Sequence, residues 1–143
     1  MRIISVLIAT CLFVAIFHGV GRAVDLNAEM TKFIQELEDQ AKKQDSSFKG
    51  FTAEKGKKLF FDSQPNIQTG TMSCTTCHTT DLKMSGKTLV GKVLEPLAPS
   101  VNKIRLTNVK DVEKWLLRNF KQVYDREGTA QEKGDVLMFI NAQ

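Results

Sequence analysis

Two cysteines and a histidine within five residues, Cys74-Thr75-Thr76-Cys77-His78, constrain this chain more than any other feature. The C-x-x-C-H spacing is the attachment sequence of a c-type haem: each thiol can form a thioether with the porphyrin, while the adjacent imidazole reaches the iron. Cys74 and Cys77 are therefore predicted to bind one haem c covalently. His78 is predicted to be the proximal iron ligand.

A structural zinc site is the main alternative use of these residues. Structural zinc takes four ligands, usually cysteine and histidine. The rest of the chain offers only Cys11 and His18, and both lie in an N-terminal apolar segment that is predicted to be removed. Zinc is therefore a poor fit to the sequence.

The first 23 residues have the pattern of an export signal. Arg2 supplies a positive start, residues 3–17 are almost uninterruptedly apolar, and the small residues of 21–23 suit cleavage before Val24. Residues 1–23 are therefore predicted to be a signal peptide, which places the mature protein in the bacterial periplasm without stable membrane insertion. An uncleaved anchor remains the alternative, although the apolar run is short for a span of about 20 residues.

The remaining residues, 24–143, are enough for one domain and too few for two. The whole chain carries 20 basic and 16 acidic residues, and its formal charge of +4 falls to about +2 without the signal. Two haem propionates would bring this charge close to neutrality, so no nucleic-acid partner is predicted. The cluster Lys55, Lys57 and Lys58 either steers an acidic redox partner or forms a solvated helix face.

Helical periodicity in four segments predicts an all-α fold. An amphipathic helix that starts at Leu26 forms an N-terminal helical extension, residues 24–50. The cytochrome domain is predicted over residues 51–143, and its first helix begins after an N-cap at Thr52. Gly56 in this helix would permit close crossing by another helix.

Two more helices are predicted in the C-terminal half, and no convincing strand. One runs from about Asn108 to Glu127 with Gly128 as its stop, and the last opens with a capping box at Thr129 and Glu132. The long loop over residues 81–105 is predicted to cover the edge of the haem. Its apolar residues are Leu89, Val90, Val93, Leu94, Leu97 and Ala98.

The sixth iron ligand is the open question. An electron-transfer cytochrome of this size normally uses a distant methionine or a second histidine. After residue 23 the only histidine is His78. Met72 and Met84 lie within six residues of the attachment motif, and Met30 and Met138 belong to predicted helix cores. Each methionine is therefore an awkward ligand.

Neither methionine nor histidine occurs between residues 85 and 130, where a distal ligand is expected. The helix in that region has an apolar face defined by Val112, Leu116 and Val123, and Asn119 falls within about 20° of its centre. Two interpretations of Asn119 stay open. It is a buried amide that forms hydrogen bonds with the backbone or with a haem propionate, or it is an iron ligand through its side-chain oxygen.

The same residues resemble the SHP-type cytochromes c, small bacterial class I cytochromes with a high-spin haem. The similarity covers roughly Gly56 to Gln143. It is carried by residues 73–78, Gly91-Lys92, residues 96–100, residues 112–116, Arg118-Asn119 and Glu132-Lys133. The resemblance implies a class I cytochrome c-like helical domain in which Asn119 is the labile distal iron ligand.

The resemblance also implies a function. Members receive electrons from a partner cytochrome, a dihaem cytochrome c, and bind a diatomic ligand, O2 or NO, where the asparagine is displaced. Related cytochromes c'' have a histidine at the position of Asn119 and detach it on reduction. Relatives carry a disulfide that starts just after the ligand, but this chain has Phe120 and Gly128 at those positions. The loop beside Asn119 is therefore predicted to be less constrained.

Two other functions stay open. One is plain electron transfer by a six-coordinate cytochrome c with Met84 or a lysine as sixth ligand. The other is a haem enzyme such as a peroxidase, or a weak oxidase or NO-consuming activity. The chain lacks a distal histidine, and Arg118 lies about 100° from Asn119 around the helix. An enzyme is therefore the less favoured interpretation.

Overall fold

The computed structural model describes residues 23–143, so the predicted signal peptide, residues 1–23, lies outside the described part except for its last residue. Five helices carry the architecture: α1 (Ala28–Gln44), α2 (Ala53–Phe61), α3 (Thr75–His78), α4 (Val109–Tyr124) and α5 (Ala130–Asn141). The predicted helical fold class is confirmed.

Two very short antiparallel hairpins correct the prediction that the chain contains no strand. The first pairs β1 (Gln64–Asn66) with β2 (Gly70–Met72), and the second pairs β3 (Gly86–Lys87) with β4 (Val93–Leu94). Strands of two or three residues are too short to show an alternating pattern in the sequence. The second hairpin lies within residues 81–105, which are predicted to be a loop.

Local capping signals set where the four long helices begin. In each, a side-chain oxygen accepts a hydrogen bond from a backbone N–H three residues later, which satisfies one of the unpaired donors of the first turn. The capping residues are Asn27, Thr52, Asn108 and Thr129. The predicted N-cap at Thr52 and the predicted capping box of Thr129 and Glu132 are confirmed.

The end of α4 differs from the prediction. The helix stops at Tyr124, and Asp125 caps it in the left-handed conformation with φ of 54°. Aspartate is one of the few residues other than glycine that visit this region. Gly128 has a different role, because a Cβ atom added there would lie 2.8 Å from the Phe120 ring. Its missing side chain makes room for that ring.

Helices α2 and α5 cross in close backbone contact at Gly56. A Cβ atom at Gly56 would clash with the Asp135 backbone carbonyl and lie 2.9 Å from Cβ of Phe139. The close crossing predicted from Gly56 is therefore confirmed. Asp135 is almost fully buried, and its carboxylate accepts a 2.6 Å hydrogen bond from the Thr52 N–H. That bond ties the start of α2 to α5.

Helix α1 shares its hydrophobic core with the rest of the chain. Its buried residues recur at helical spacing and are Met30, Phe33, Leu37 and Ala41. The segment before α1 is attached to the end of α5, because the side-chain amide of Asn141 donates a 3.1 Å hydrogen bond to the Val24 carbonyl. Within residues 23–143, no helix is long and apolar enough to cross a membrane.

Candidate haem-binding site

A cavity of about 480 Å³ opens between α2, α3, α4, α5 and the loop that joins α3 to α4. This volume is within the range of small-molecule and cofactor sites. Its walls are mainly apolar, with Leu59, Phe60, Leu94, Leu97, Leu106, Leu116, Val136, Leu137 and Ile140 among the lining residues. Cys74, Cys77, His78 and Asn119 all line it. The structure thus brings the four predicted site residues together at one cavity.

The turn of helix α3 presents the attachment motif. The N–H groups of Cys77 and His78 both donate to the Cys74 carbonyl, at 3.3 and 3.0 Å. Both thiols are free and half-buried. Gly86 of the second hairpin packs directly on this turn, because a Cβ atom there would clash with the Cys77 carbonyl. The hairpin backbone therefore supports the motif from outside.

Burial sets the protonation of the motif's side chains. It raises the pKa of the Cys74 thiol to about 12, so the group is a neutral thiol at neutral pH. Burial also lowers the pKa of His78 to about 4, and the Arg105 guanidinium adds to that shift. A neutral imidazole has a nitrogen lone pair that can coordinate a metal. The donor set therefore fits a haem iron and two thioether bonds.

Arg105 is a charged residue of this cavity that the sequence analysis missed. Its Nε donates to the Pro96 carbonyl at 2.8 Å, and its Nη2 donates to the Glu95 carbonyl at 2.9 Å. The side chain is half-buried and lines the cavity, and burial lowers its pKa. No salt bridge to Arg105 is formed within the described residues. A cation in such a place favours an anionic partner, and a haem propionate is a carboxylate of the right kind.

Helix α4 forms the wall that carries Asn119. Leu116 and Phe120 are buried beside it, and Asn119 itself is half-buried on the cavity side. The predicted apolar stripe is present, with Val112 partly buried and Val123 buried. Asn119 is thus one of three polar side chains, with Asp111 and Gln122, that α4 places at the cavity beside its apolar residues.

Comparison with known proteins identifies the family. Residues 46–140 match a family described as a domain of unknown function (DUF1924). The cytochrome c-type protein SHP of Cereibacter sphaeroides is 45% identical over 91 residues, which are 64% of this chain and 70% of that protein. The chain belongs to the SHP family of c-type cytochromes. Its cofactor is accordingly one covalently bound haem c.

Solved structures agree with this assignment. The structure of oxidized SHP, described as an oxygen binding cytochrome c, matches with a TM-score of 0.70 at 37% identity, covering 84% of this chain and 100% of that one. Cytochrome c'' of Methylophilus methylotrophus is 29% identical over 85 residues, which are 58% of this chain and 59% of that protein. Its oxidized crystal structure has a TM-score of 0.69 at 23% identity, with 78% and 91% coverage. At that identity the match concerns the fold alone.

The alternative ligands of this SHP-family chain lie away from the cavity. Within residues 23–143, no methionine and no lysine lines it. Met84 is 60% exposed, whereas Met30 and Met72 are buried elsewhere in the core. Arg118 lies 5.5 Å from the Trp115 ring centroid and does not line the cavity either. The described residues also contain no cluster of His, Cys, Asp or Glu that could hold a separate metal ion.

The loop covers the cavity differently from the prediction. Leu94 and Leu97 line it and Ala98 is buried, but Leu89, Val90 and Val93 are exposed, Val90 to 90%. The reason is the tight turn of the second hairpin, in which the Thr88 N–H donates to the Lys92 carbonyl at 2.9 Å. This turn points residues 89–91 outward. Ile104 and Leu106 line the cavity instead.

The two positions at which relatives are expected to have a disulfide remain in contact. The Phe120 ring packs on Gly128, and the ring of Tyr124 lies 5.5 Å from that of Phe120. The Tyr124 hydroxyl donates a 2.6 Å hydrogen bond to the Leu59 carbonyl of α2. The segment after Asn119 is therefore held by ring packing and one partly buried hydrogen bond.

Proposed function

We propose that this chain is an exported, periplasmic monohaem cytochrome c of the high-spin type that receives electrons and binds O2 or NO. The observation that carries the proposal is that Asn119 lines the same cavity as Cys74, Cys77 and His78, whereas no methionine or lysine of the described residues does. A distal site served by a weak ligand favours binding of a diatomic molecule over simple electron transfer. SHP, the similar protein, is described as oxygen binding.

Each residue has a defined role in this proposal. Cys74 and Cys77 form the two thioethers, and His78 is the proximal ligand through its neutral imidazole. Arg105 pairs with a propionate while it holds the Glu95 and Pro96 carbonyls. Bound here, haem c supplies an iron that changes oxidation state and offers one position to a diatomic ligand.

Asn119 controls that position. Its carboxamide oxygen is a neutral, hard donor, which suits ferric iron better than the softer ferrous iron. Reduction of a haem bound here would therefore weaken the interaction of its iron with the Asn119 oxygen. The amide also carries two N–H donors, which can hydrogen-bond to a polar diatomic ligand after the side chain has turned. Buried Leu116 and Phe120 keep the α4 backbone in place, so only the side chain needs to move.

The electron donor in the proposal is a partner cytochrome, a dihaem cytochrome c as in the SHP-type family. The export pattern of residues 1–23 supports a periplasmic location, where such a partner would be met. No catalytic turnover is proposed.

Replacement of Asn119 tests the proposal directly. Asn119→Ala should fold, because the hydrogen bonds lost are worth about 1–3 kcal/mol, but its ferric visible spectrum should change. Binding of CO or NO to the reduced protein should persist or become faster. Asn119→His should give a low-spin, six-coordinate ferric haem.

Gln122→Ala is the matched control, since Gln122 is another amide of α4 that lines the cavity. Its ferric spectrum and ligand-binding kinetics should match those of the unchanged protein. If Asn119→Ala behaved in the same way as this control, the asparagine would be a structural amide only and the proposal would be wrong.

A further inference from the structure

We propose that the end of α5 forms a binding site for the α-ammonium group of Val24, the group that removal of the predicted signal peptide creates. In that cleavage a signal peptidase hydrolyses the peptide bond between Ala23 and Val24. The oxygen of water goes to the new Ala23 carboxylate and its two hydrogens go to the Val24 nitrogen, which becomes an ammonium. The site therefore belongs to the mature protein and rests on the export proposed above. Its binding group is Asn141, the last residue of α5.

Val24 and Asn141 already meet through two hydrogen bonds. The Val24 N–H donates to the Asn141 backbone carbonyl at 3.4 Å, and Nδ2 of Asn141 donates to the Val24 carbonyl at 3.1 Å. Asn141 is buried and Val24 is half-buried, whereas Ala23 is exposed. The chain therefore reaches the surface at the bond that is predicted to be cleaved.

The side-chain oxygen of Asn141 lacks a hydrogen-bond donor. Among the described residues, Oδ1 of Asn141 is the one buried side-chain nitrogen or oxygen atom without a hydrogen-bond partner. Such atoms are rare in folded proteins, because burial has removed their hydrogen bonds to water. The Nδ2 atom of the same amide group already contacts Val24. The Val24 nitrogen is therefore the donor that we assign to this oxygen.

An ammonium group can serve both oxygens of Asn141, whereas a peptide nitrogen cannot. The peptide nitrogen of Val24 has one hydrogen, which is already directed to the backbone carbonyl of Asn141. An ammonium has three N–H donors, so one can stay on that carbonyl while a second reaches Oδ1. Hydrogen bonds from a charged donor are also stronger than those from a neutral one. Cleavage thus converts one neutral contact into two charge-assisted contacts.

The end of a helix is a favourable place for this positive charge. The helix dipole leaves partial negative charge at the C-terminal end, on carbonyls that lack partners within the helix. The residues after α5 pair with three of these carbonyls, those of Met138, Phe139 and Ile140. The Asn141 carbonyl comes next, and its donor is the Val24 nitrogen. The ammonium would therefore complete the pairing at this helix end.

The same contact connects the N-terminal segment to the haem cavity. Ile140, next to Asn141, lines the cavity. On the other side of the contact, Leu26 packs against the core, and the Asn27 side-chain amide donates a 2.8 Å hydrogen bond to the Thr107 carbonyl. Processing of the chain is therefore expected to stabilise the last turn of a helix that lines the haem site.

Moving the ammonium by one residue tests the proposal. Two haem-loaded proteins are compared, one that starts at Val24 and one that starts at Ala23, each released from a tag by a protease that leaves no extra residue. The additional alanine keeps the positive charge but makes the Val24 nitrogen an amide again. In chemical denaturation, the folding equilibrium constant of the longer protein should be at least about fivefold lower. Equal constants would overturn the proposal.

Two substitutions at the end of α5 identify the partner of the ammonium. In Asn141→Ala, the additional alanine should change the folding equilibrium constant by less than about twofold. Gln143→Ala is the matched control, because it removes another side-chain amide that binds the end of α5. The fivefold effect should remain in this control. An effect of the same size in Asn141→Ala would show that the ammonium binds elsewhere, and the proposal would be wrong.

Chemical labelling of the unsubstituted chain keeps the proposal testable if Asn141→Ala does not fold. With acetic anhydride at neutral pH, the α-amino group of the protein that starts at Val24 should react at least about fivefold more slowly than that of the longer protein. Equal rates, or an exported protein whose mass shows a first residue other than Val24, would contradict the proposal. Neither readout depends on gas binding or on the ferric spectrum, so failure here is distinguishable from failure of the proposed function.

Discussion

On one side of this cytochrome α2 and α5 meet backbone to backbone at Gly56, whereas on the other side α4 and the loop before it face a cavity of about 480 Å³. We call the first side, formed by α1, α2 and α5, the frame. We call the second side, formed by α4 and the loop before it, the cavity side. The frame is packed mainly by protein atoms, although Leu59 and Phe60 of α2 and Val136, Leu137 and Ile140 of α5 also line the cavity. The apolar residues of the cavity side are completed only by a cofactor, so haem binding and local stability are coupled there.

The tightest point of the frame provides the largest expected effect. Gly56→Ala places a Cβ atom against the Asp135 carbonyl, which the crossing cannot accommodate without moving α5. We expect a loss of about 3 kcal/mol in the free energy of unfolding, measured by chemical denaturation. Lys57→Ala, at an exposed neighbouring position, should change it by less than about 0.5 kcal/mol. Similar values for both variants would show that the crossing is loose.

Removing the haem should affect the two sides unequally. In the haem-free double variant Cys74→Ser/Cys77→Ser, we expect amide hydrogens of α4 to exchange at least about tenfold faster than in the loaded protein, which corresponds to about 1.4 kcal/mol of local stability. Protection in α2 and α5 should change less. Equal loss of protection in all three helices would contradict the division into a frame and a cavity side.

Arg105 allows charge and hydrogen bonding on the cavity side to be separated. Arg105→Gln should lower the reduction potential by an amount on the order of tens of millivolts, because a nearby cation favours the reduced haem. It should also cost about 1–2 kcal/mol of stability through the bonds to Glu95 and Pro96. Arg105→Lys keeps the positive charge but not the two guanidinium hydrogen bonds. This variant should therefore be less stable but largely retain the reduction potential. If both variants retained the potential, pairing with a propionate would be wrong.

The smallest effect is expected at the capping box of α5 in the frame. The Arg126 guanidinium holds the pKa of Glu132 below its usual 4.5 through a hydrogen bond, and the Thr129 N–H adds to this. Glu132 therefore contributes stability above pH 4.5 that is lost as the pH falls through the lowered pKa. Glu132→Gln should cost about 1 kcal/mol at pH 7 and almost nothing at pH 2.

The exposed residue Glu36 of α1 offers a control for this prediction. Glu36→Gln should change the free energy of unfolding by less than about 0.5 kcal/mol at either pH. Because the capping box is local to α5, the cost of Glu132→Gln should be the same with and without haem. A cost that appeared only in the loaded protein would show that the frame depends on the cofactor after all.

Local rules made the frame predictable from the sequence. Thr52, Thr129 and Glu132 act within three or four residues of their own position, and Gly56 signals a close approach whatever the partner is. The attachment motif is equally local, since Cys74 and the single turn of α3 that follows it contain all of it. These features need no knowledge of the tertiary structure.

Tertiary context decided what the sequence analysis missed. Asp125 rather than Gly128 caps α4, and the missing side chain of Gly128 instead makes room for the Phe120 ring. The turn of the second hairpin exposes Val90, although its apolar character favoured a place over the haem. Arg105 stands between the apolar residues Ile104 and Leu106 in the loop, and this position was the one indication in the sequence that its charge is partly buried. Its importance follows only from the carbonyls and the cavity it reaches.

The contact between Phe120 and Gly128 determines which solution conditions weaken the structure beside Asn119. Within residues 23–143 the cysteines are Cys74 and Cys77 alone, so thiol reductants have no disulfide to open beside Asn119. Apolar packing instead weakens on cooling and in the presence of urea. The packing of the segment that follows Asn119 is thus sensitive to temperature and solvent composition rather than to thiol reductants.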